Sequence, residues 1–301
     1  MKLKILLALS IATLAASSAL ADHAFLMPSF SNFSGVQSVV QIDAAQADNI
    51  FQFDHRPIQL DQIKVYRPDG SEAEKPQGST SRFRSTFDLK LDAPGTWKIA
   101  ALNVMVSGTA VIGGEERRVS SMRFGRRPGG PGGPAMQRPD GPPRAPGAPG
   151  EPRRQPPILL ADLPADATDL KLTEIVGRTE VFVTVNAPTT QVFGGDPRGI
   201  TLQPITHPTD LVSNEPAKFK FLIDGQPAAK LKVTLIAGGQ RFRDSEAGID
   251  FTTDAQGVVT IKWPAPGYYL LTASAEDNKA AEKRATVRRL SYGATLEVAA
   301  P

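Results

Sequence analysis

The sequence contains no cysteine among its 301 residues. This absence excludes disulfide bonds, a cysteine nucleophile and a lipid-modified cysteine behind a signal sequence. Exported domains often depend on disulfides, so an exported chain of this composition must be held together by hydrophobic cores alone. Its length is sufficient for two domains of ordinary size, each with its own core.

The short motifs of common enzymes are also missing. The chain has no Gly-x-Ser-x-Gly elbow, no glycine-rich phosphate loop, no closely spaced histidine pair and no acidic calcium loop. Carboxylates distant in sequence can still meet in space, so acid pairs of the glycosidase type stay open as an alternative. We expect a protein that is not an enzyme.

Long apolar runs are absent apart from one at the amino terminus. Lys2 and Lys4 precede an apolar run over residues 5–16, and Ala19 and Ala21 form a small-x-small cleavage site. The run is too short to span a bilayer, so residues 1–21 are interpreted as a cleaved signal peptide. We expect a soluble protein of the bacterial periplasm.

Basic charge is concentrated in one segment. Residues 125–157 contain eleven prolines, eight glycines, six arginines and two acidic residues, a composition that predicts disorder. Outside the signal and this segment, 26 basic residues are balanced by 29 acidic ones. The folded part therefore has no basic excess for nucleic acid. The segment is interpreted as an insertion, with an interdomain linker as the alternative. Such loops are more often spacers, and contact of its arginines with an anionic surface is the other function that the composition leaves open.

A strand–turn–strand unit occurs twice. Residues 89–101 (LKLDAPGTWKIAA) match residues 261–273 (IKWPAPGYYLLTA), and similar strands precede them at 63–67 and 231–235. Alternating strands around a Pro-Gly turn predict two similar β-units in tandem. The match makes Trp97 and Tyr269 equivalent, and both are expected in the core.

Strand-length alternation and turn signals about every ten residues continue through the rest of the chain and predict an all-β protein. We expect a first β-sandwich module over residues 22–197, which includes the insertion, and a second over 198–301. The strand at Trp97 is expected to pair with the strand before the Pro-Gly turn. Residues 169–185 are expected to form two strands around Gly177.

The second half resembles a domain-of-unknown-function family of periplasmic proteins, often described as the periplasmic component of nickel or cobalt uptake systems. The residues that carry the resemblance are 204–211 (PITHPTDL), 222–227 (LIDGQP), 241–244 (RFRD), Thr253-Asp254 with Gly257, 266–268 (PGY) and 292–298 (YGATLEV). A histidine near the signal cleavage site, here His23, followed by an apolar stretch and Pro28, is a further point of likeness. The resemblance implies an immunoglobulin- or transthyretin-like sandwich and a role in metal uptake.

The three histidines are the candidate metal ligands. Cleavage after Ala21 would make Asp22 the first residue and His23 the second, so the free amine, the His23 amide and its imidazole could chelate Cu(II) or Ni(II). His55 and His207 would join only if the fold brings them close. The alternatives are a solvated loop for His55 and a turn or interface residue for His207.

The sequence thus predicts a non-catalytic accessory or binding protein of nickel, cobalt or copper uptake, with a metal held by Asp22, His23, His55 and His207. The expected partner is a transport component of the inner or outer membrane. The alternative is a structural module of the cell envelope that binds protein or glycan without metal.

Overall fold

The protein is all-β. The computed structural model describes residues 23–35, 37–122, 155–242 and 248–301, and these contain strands and short 3-10 helices but no α-helix. The strands of the amino-terminal half are β1 (His23–Pro28), β2 (Asn32–Phe33), β3 (Ser38–Ala47), β4 (Arg56–Pro57), β5 (Ile63–Tyr66), β6 (Gly78–Thr80), β7 (Ser85–Leu91), β8 (Gly95–Ile112), β9 (Glu115–Ser120), β10 (Ile158–Leu159) and β11 (Thr168–Val185).

The carboxy-terminal half continues in the same way. Its strands are β12 (Ile200–Pro204), β13 (Pro216–Ile223), β14 (Gln226–Pro227), β15 (Lys232–Ala237), β16 (Ile249–Thr252), β17 (Val258–Lys262), β18 (Gly267–Asp277) and β19 (Ala285–Val298). The 3-10 helices are Leu60–Gln62, Leu160–Asp162, Gln191–Phe193 and Gln240–Phe242.

The strands form one large sheet and two smaller ones. The central sheet has the order β10-β9-β8-β11-β19-β18-β15-β16, with β5 paired to β8 and β2 to β11. The N-terminal sheet has the order β1-β3-β7-β6 with β4 beside β3, and the C-terminal sheet contains β12, β13, β14 and β17. The parallel pairing of β11 with β19 makes the central sheet continuous between the two halves.

The two smaller sheets cover opposite faces of the central sheet. On β11, Val181 and Val183 pack with Leu26 and Ile42 of the N-terminal sheet. Phe182, between those two valines, belongs to the core built on the C-terminal sheet. Because alternate residues of a strand point to opposite faces, β11 contributes to a separate core on each side. These stacked layers are the sandwich architecture that the sequence predicts.

The two copies of the repeat occupy matching places. β7 and β17, before the turns, lie in the small sheets, whereas β8 and β18, after the turns, lie in the central sheet and pair with β5 and β15.

The turns match in detail as well. The Trp97 indole donates to the Ala93 carbonyl at 3.1 Å, and the Tyr269 hydroxyl donates to the Ala265 carbonyl at 2.7 Å. Both rings are buried, at 1% and 3% exposure, as the repeat predicts.

Two sequence predictions about pairing are wrong. The strand at Trp97 does not pair with the strand before the turn, because Ala-Pro-Gly carries the chain from one sheet to another. Residues 169–185 form the single strand β11 instead of two strands around Gly177. Gly177 pairs with Asn103 of β8 on one edge and Ser291 of β19 on the other, so the ladder runs through it without a turn. Most of the expected insertion at 125–157 lies outside the described residues, and the module boundary at 197/198 stays a prediction.

A buried arginine joins the C-terminal sheet to the central sheet. Arg288 on β19 donates to both carboxylate oxygens of Asp224, at 3.1 and 2.6 Å, and of Asp277, at 2.9 and 2.6 Å. Asp224 lies in the tight β13–β14 turn, where it and Gly225 both have positive φ, as a type I′ turn requires. The fork geometry of a guanidinium makes two such two-point contacts possible.

Both aspartates respond to this arginine. For Asp277, the hydrogen bonds from Arg288 are the main cause of a lowered pKa. For Asp224, burial acts to raise the pKa, but the hydrogen bonds from Arg288 and from the Gly199 amide outweigh it, so the pKa is lowered. The stabilisation is therefore present above the unfolded-state pKa of about 3.9 and is lost as the pH falls through the lower folded-state values.

We expect Arg288→Met to lower the free energy of unfolding at pH 7 by about 2–4 kcal/mol, because two partly buried carboxylates lose their partner. The matched change Arg289→Met removes an exposed arginine paired with Glu276 and should cost less than about 1 kcal/mol. Urea unfolding measures both values. The difference between wild type and Arg288→Met should shrink below about pH 4. Equal costs for the two variants, or a difference independent of pH, would contradict this assignment.

Candidate functional site

Two of the candidate metal ligands lie at one end of the N-terminal sheet. His23 begins β1 and pairs with Ala47, the last residue of β3. On the other side of β3, Arg56 of β4 pairs with Gln46, so His55 precedes β4 at the same sheet end. His23 is half-buried and His55 is exposed. Asp22 lies outside the described residues.

Described side chains alone do not complete a metal site. Within the parts of the chain that the structure describes, no group of three or more histidine, aspartate or glutamate side chains is arranged to hold a metal ion. A site at His23 and His55 would therefore need donors from the mature amino terminus, such as the free amine or the Asp22 carboxylate. The assignment of metal to these residues stays a prediction.

His207 is half-buried and lies elsewhere, in a hydrogen-bonded ring whose three threonine hydroxyls belong to buried residues. Its Nε2 is 3.0 Å from Thr96 Oγ1 and 3.2 Å from the Thr189 carbonyl oxygen, and its Nδ1 is 3.0 Å from Thr209 Oγ1 and 3.3 Å from the Thr209 amide. Thr184 Oγ1 closes the ring, at 3.0 Å from Thr96 Oγ1 and 2.7 Å from Thr209 Oγ1. The Phe193 ring contacts the imidazole edge to face.

These partners fix the protonation of His207. The Thr189 carbonyl can only accept, so Nε2 carries the proton, and the Thr209 amide can only donate, so Nδ1 keeps its lone pair. The hydroxyls of Thr96, Thr184 and Thr209 can then each donate once around the ring and back to Nδ1. The ring is complete only with neutral imidazole, and burial, the main cause, lowers the pKa of His207 accordingly.

His207 is thus held by protein partners on both nitrogens and is not brought together with His23 and His55. A metal could reach Nδ1 only by replacing the contacts from Thr209. The ring joins β8 and β11 to the loop after β12.

Sequence reasoning missed a buried group of charges on the central sheet. Lys98, Arg178 and Glu180 are 7%, 8% and 4% exposed and line a cavity. One signal was available, because the repeat aligns Lys98 with Leu270, which is fully buried. A lysine at a position that is leucine in the other copy indicates a buried charge.

We expect acid to weaken the fold through His207. Its folded-state pKa is lowered, so the unfolded chain binds the proton more readily, and stability is complete above about pH 6.5 and falls as the pH drops below that value. His207→Gln removes the titrating group and should flatten the dependence between about pH 7.5 and 5, measured by urea unfolding.

Thr184→Val is the matched control. It opens the ring without removing the imidazole, so it should cost about 1–3 kcal/mol at pH 7.5 and keep the wild-type slope with pH. An unchanged slope in His207→Gln would show that other groups cause the acid sensitivity.

Comparisons with solved structures give matches of low similarity. The chain matches the D0-D1 domain of Intimin at 11% identity and a TM-score of 0.20, over 90% of this chain and 97% of that one. It matches the human OSCAR ligand-binding domain at 10% identity and a TM-score of 0.19, over 91% and 97%. TM-scores of this size carry no argument about function.

No curated protein matches the sequence. Within the described residues, no helix has the length and apolar character that a membrane crossing needs. The family model described as a domain of unknown function (DUF4198) matches residues 19–277, most of the chain. The chain therefore belongs to the DUF4198 family of domains of unknown function.

Proposed function

We propose that this protein is exported through the signal at residues 1–21 and acts in the periplasm as a non-catalytic accessory of transition-metal uptake. It captures Ni(II), Co(II) or Cu(II) at its mature amino terminus and transfers the ion to a membrane transport component. The observation that carries the proposal is the strand register that places His23 and His55 on either side of the end of β3.

The spacing suits shared ligation. Two strand separations place the backbones of His23 and His55 about 10 Å apart, a distance that two imidazole side chains directed toward each other can bridge. Imidazole is the commonest protein ligand for these metals, and nitrogen-rich sets favour Ni(II) and Cu(II). The amine and Asp22 at the processed terminus would supply the remaining donors.

We also propose that the chain comprises two sandwich modules, residues 22–197 and 198–301, which share the central sheet. The matching places of the two repeat copies and the separate cores on opposite faces support this division. The arginine-rich residues 125–157, largely outside the described residues, would contact an anionic surface of the envelope or of the partner.

The second candidate is an envelope module that binds protein or glycan without metal. Large exposed apolar side chains favour it, because Phe30 is 61% exposed and Phe242 83% exposed. Scattered exposed residues are common on soluble proteins, so this observation is less specific than the histidine placement.

We expect exported protein whose first residue is Asp22, verified by intact mass, to bind Ni(II) or Cu(II) in calorimetric titration. His23→Ala and His55→Ala should each weaken binding about tenfold or more, since each removes an imidazole ligand. His207→Gln should bind as wild type, because its ring nitrogens are already hydrogen bonded. A precursor with an uncleaved signal should also bind weakly.

The outcomes separate the two candidates. Equally weak metal binding by the wild type and all variants would contradict the metal proposal and favour the envelope module that binds protein or glycan. Loss of binding in His23→Ala alone would restrict the site to the amino terminus and remove His55 from it.

A further inference from the structure

Three charged side chains are buried on the face of the central sheet that lies opposite to the N-terminal sheet. Lys98 of β8 pairs with Phe182 of β11. On β11 itself, Glu180 lies two residues before Phe182 and Arg178 lies four residues before it. All three side chains therefore share the Phe182 face. They lie beneath the loop that follows the 3-10 helix Gln191–Phe193, and β12 covers the adjoining region.

Arg178 and Glu180 are only partly satisfied by each other. Nη1 of Arg178 is 3.6 Å from Oε1 of Glu180, and Nη2 donates to the carbonyls of Asp196 and Arg198 at 2.9 and 3.2 Å. The other carboxylate oxygen of Glu180 accepts from the Tyr292 hydroxyl at 2.9 Å. Nε of Arg178 is buried and has no hydrogen-bond partner.

The buried charge of Lys98 has fewer close partners than that of Arg178. Its Nζ makes one long contact of 3.4 Å to the Gly194 carbonyl and lies 4.6 Å from the centre of the Tyr66 ring. No described carboxylate forms an ion pair with it. Burial is the main cause that lowers the pKa of Lys98. A buried ammonium is costly unless a counter-charge lies close to it.

These groups line a cavity of about 220 Å³. At ~30 Å³ per water molecule, this volume corresponds to about seven water-sized groups, which suits a small metabolite better than a drug-sized ligand. Two cations face one anion here, because the nearby Asp196 carboxylate is engaged by the amide and guanidinium of Arg198. The groups around the cavity thus have an excess of one positive charge, and the Arg178 guanidinium that lines it keeps one buried N–H donor without a partner.

We propose that this cavity binds a small monocarboxylate, whose oxygens accept from the Arg178 guanidinium and from Lys98 Nζ. A single negative charge neutralises the excess, and a planar carboxylate matches the edge of a guanidinium. His23 and His55 belong to the N-terminal sheet, which covers the opposite face of the central sheet. The carboxylate proposal therefore does not depend on metal binding.

The test uses acetate, lactate and butyrate, each beside its uncharged amide (acetamide, lactamide and butyramide). In the folded full-length protein, the ¹H–¹⁵N signal of Arg178 Nε reports on the unused donor, and its absence in Arg178→Lys assigns it. We expect at least one carboxylate to shift this signal in a saturable way and to bind about tenfold more tightly than its amide. Calorimetry gives the affinities.

Lys98→Met separates a ligand site from a purely structural network. It keeps the length of the side chain and removes the charge, so the ligand-free protein should remain folded while carboxylate affinity falls about tenfold. Lys64→Met, which removes an exposed lysine on the neighbouring β5, should bind as wild type. Arg178→Lys keeps the charge but loses the fork and should also weaken binding, which preserves the test if Lys98→Met does not fold.

The proposal is overturned if no carboxylate shifts the Arg178 signal, or if the amides shift it equally. It is also overturned if carboxylate affinity is unchanged in both Lys98→Met and Arg178→Lys, because binding would then occur elsewhere.

Discussion

The structure depends on one constraint, which is that residues 178–185 of β11 lie between neighbouring strands and are buried on both faces. The strand is antiparallel to β8 on one edge and parallel to β19 on the other. A strand of this kind reads as a nearly continuous apolar run, as residues 181–185 (VFVTV) do. The two halves of the chain cannot separate without exposing apolar side chains, because Phe182 belongs to the core built on the C-terminal sheet and Phe25 of β1 packs with Leu270 of β18.

This double burial determines where polar groups must find partners. A polar side chain within residues 178–185 is at most 8% exposed, so it needs partners within the protein or in a bound ligand. Thr184 is satisfied through the ring with His207, and Glu180 through Tyr292. Arg178 is the exception, since its Nε stays without a partner. An unsatisfied buried donor costs about 1–3 kcal/mol, and a bound ligand that supplied the missing acceptor would remove this cost.

Sequence reasoning found the elements but not their partners. Alternation and the Ala-Pro-Gly repeat predicted β7, β8, β17 and β18, because alternating apolar residues show which face of a strand is buried. Alternation does not show which strands are neighbours in a sheet. The sequence therefore could not predict that the chain changes sheets at Pro94, or that β11 continues through Gly177 as one strand. The same limit applied to the site. His23 and His55 lie at the same sheet end only because β1 and β4 each pair with β3, whereas the burial of Lys98 was visible by comparison with Leu270 in the other copy.

The three histidines show that residue type alone did not define a metal site. A metal needs an imidazole lone pair, and the only lone pair of neutral His207 accepts from the amide and hydroxyl of Thr209. Coordination there would leave both donors unsatisfied in a buried loop, and that penalty opposes metal binding. His23 and His55 lie at the end of a sheet, where a rearranged contact can be replaced by water. Position in the fold therefore makes His207 a structural histidine that is held by hydrogen bonds on both ring nitrogens, whereas the metal assignment of His23 and His55 at the sheet end stays a prediction.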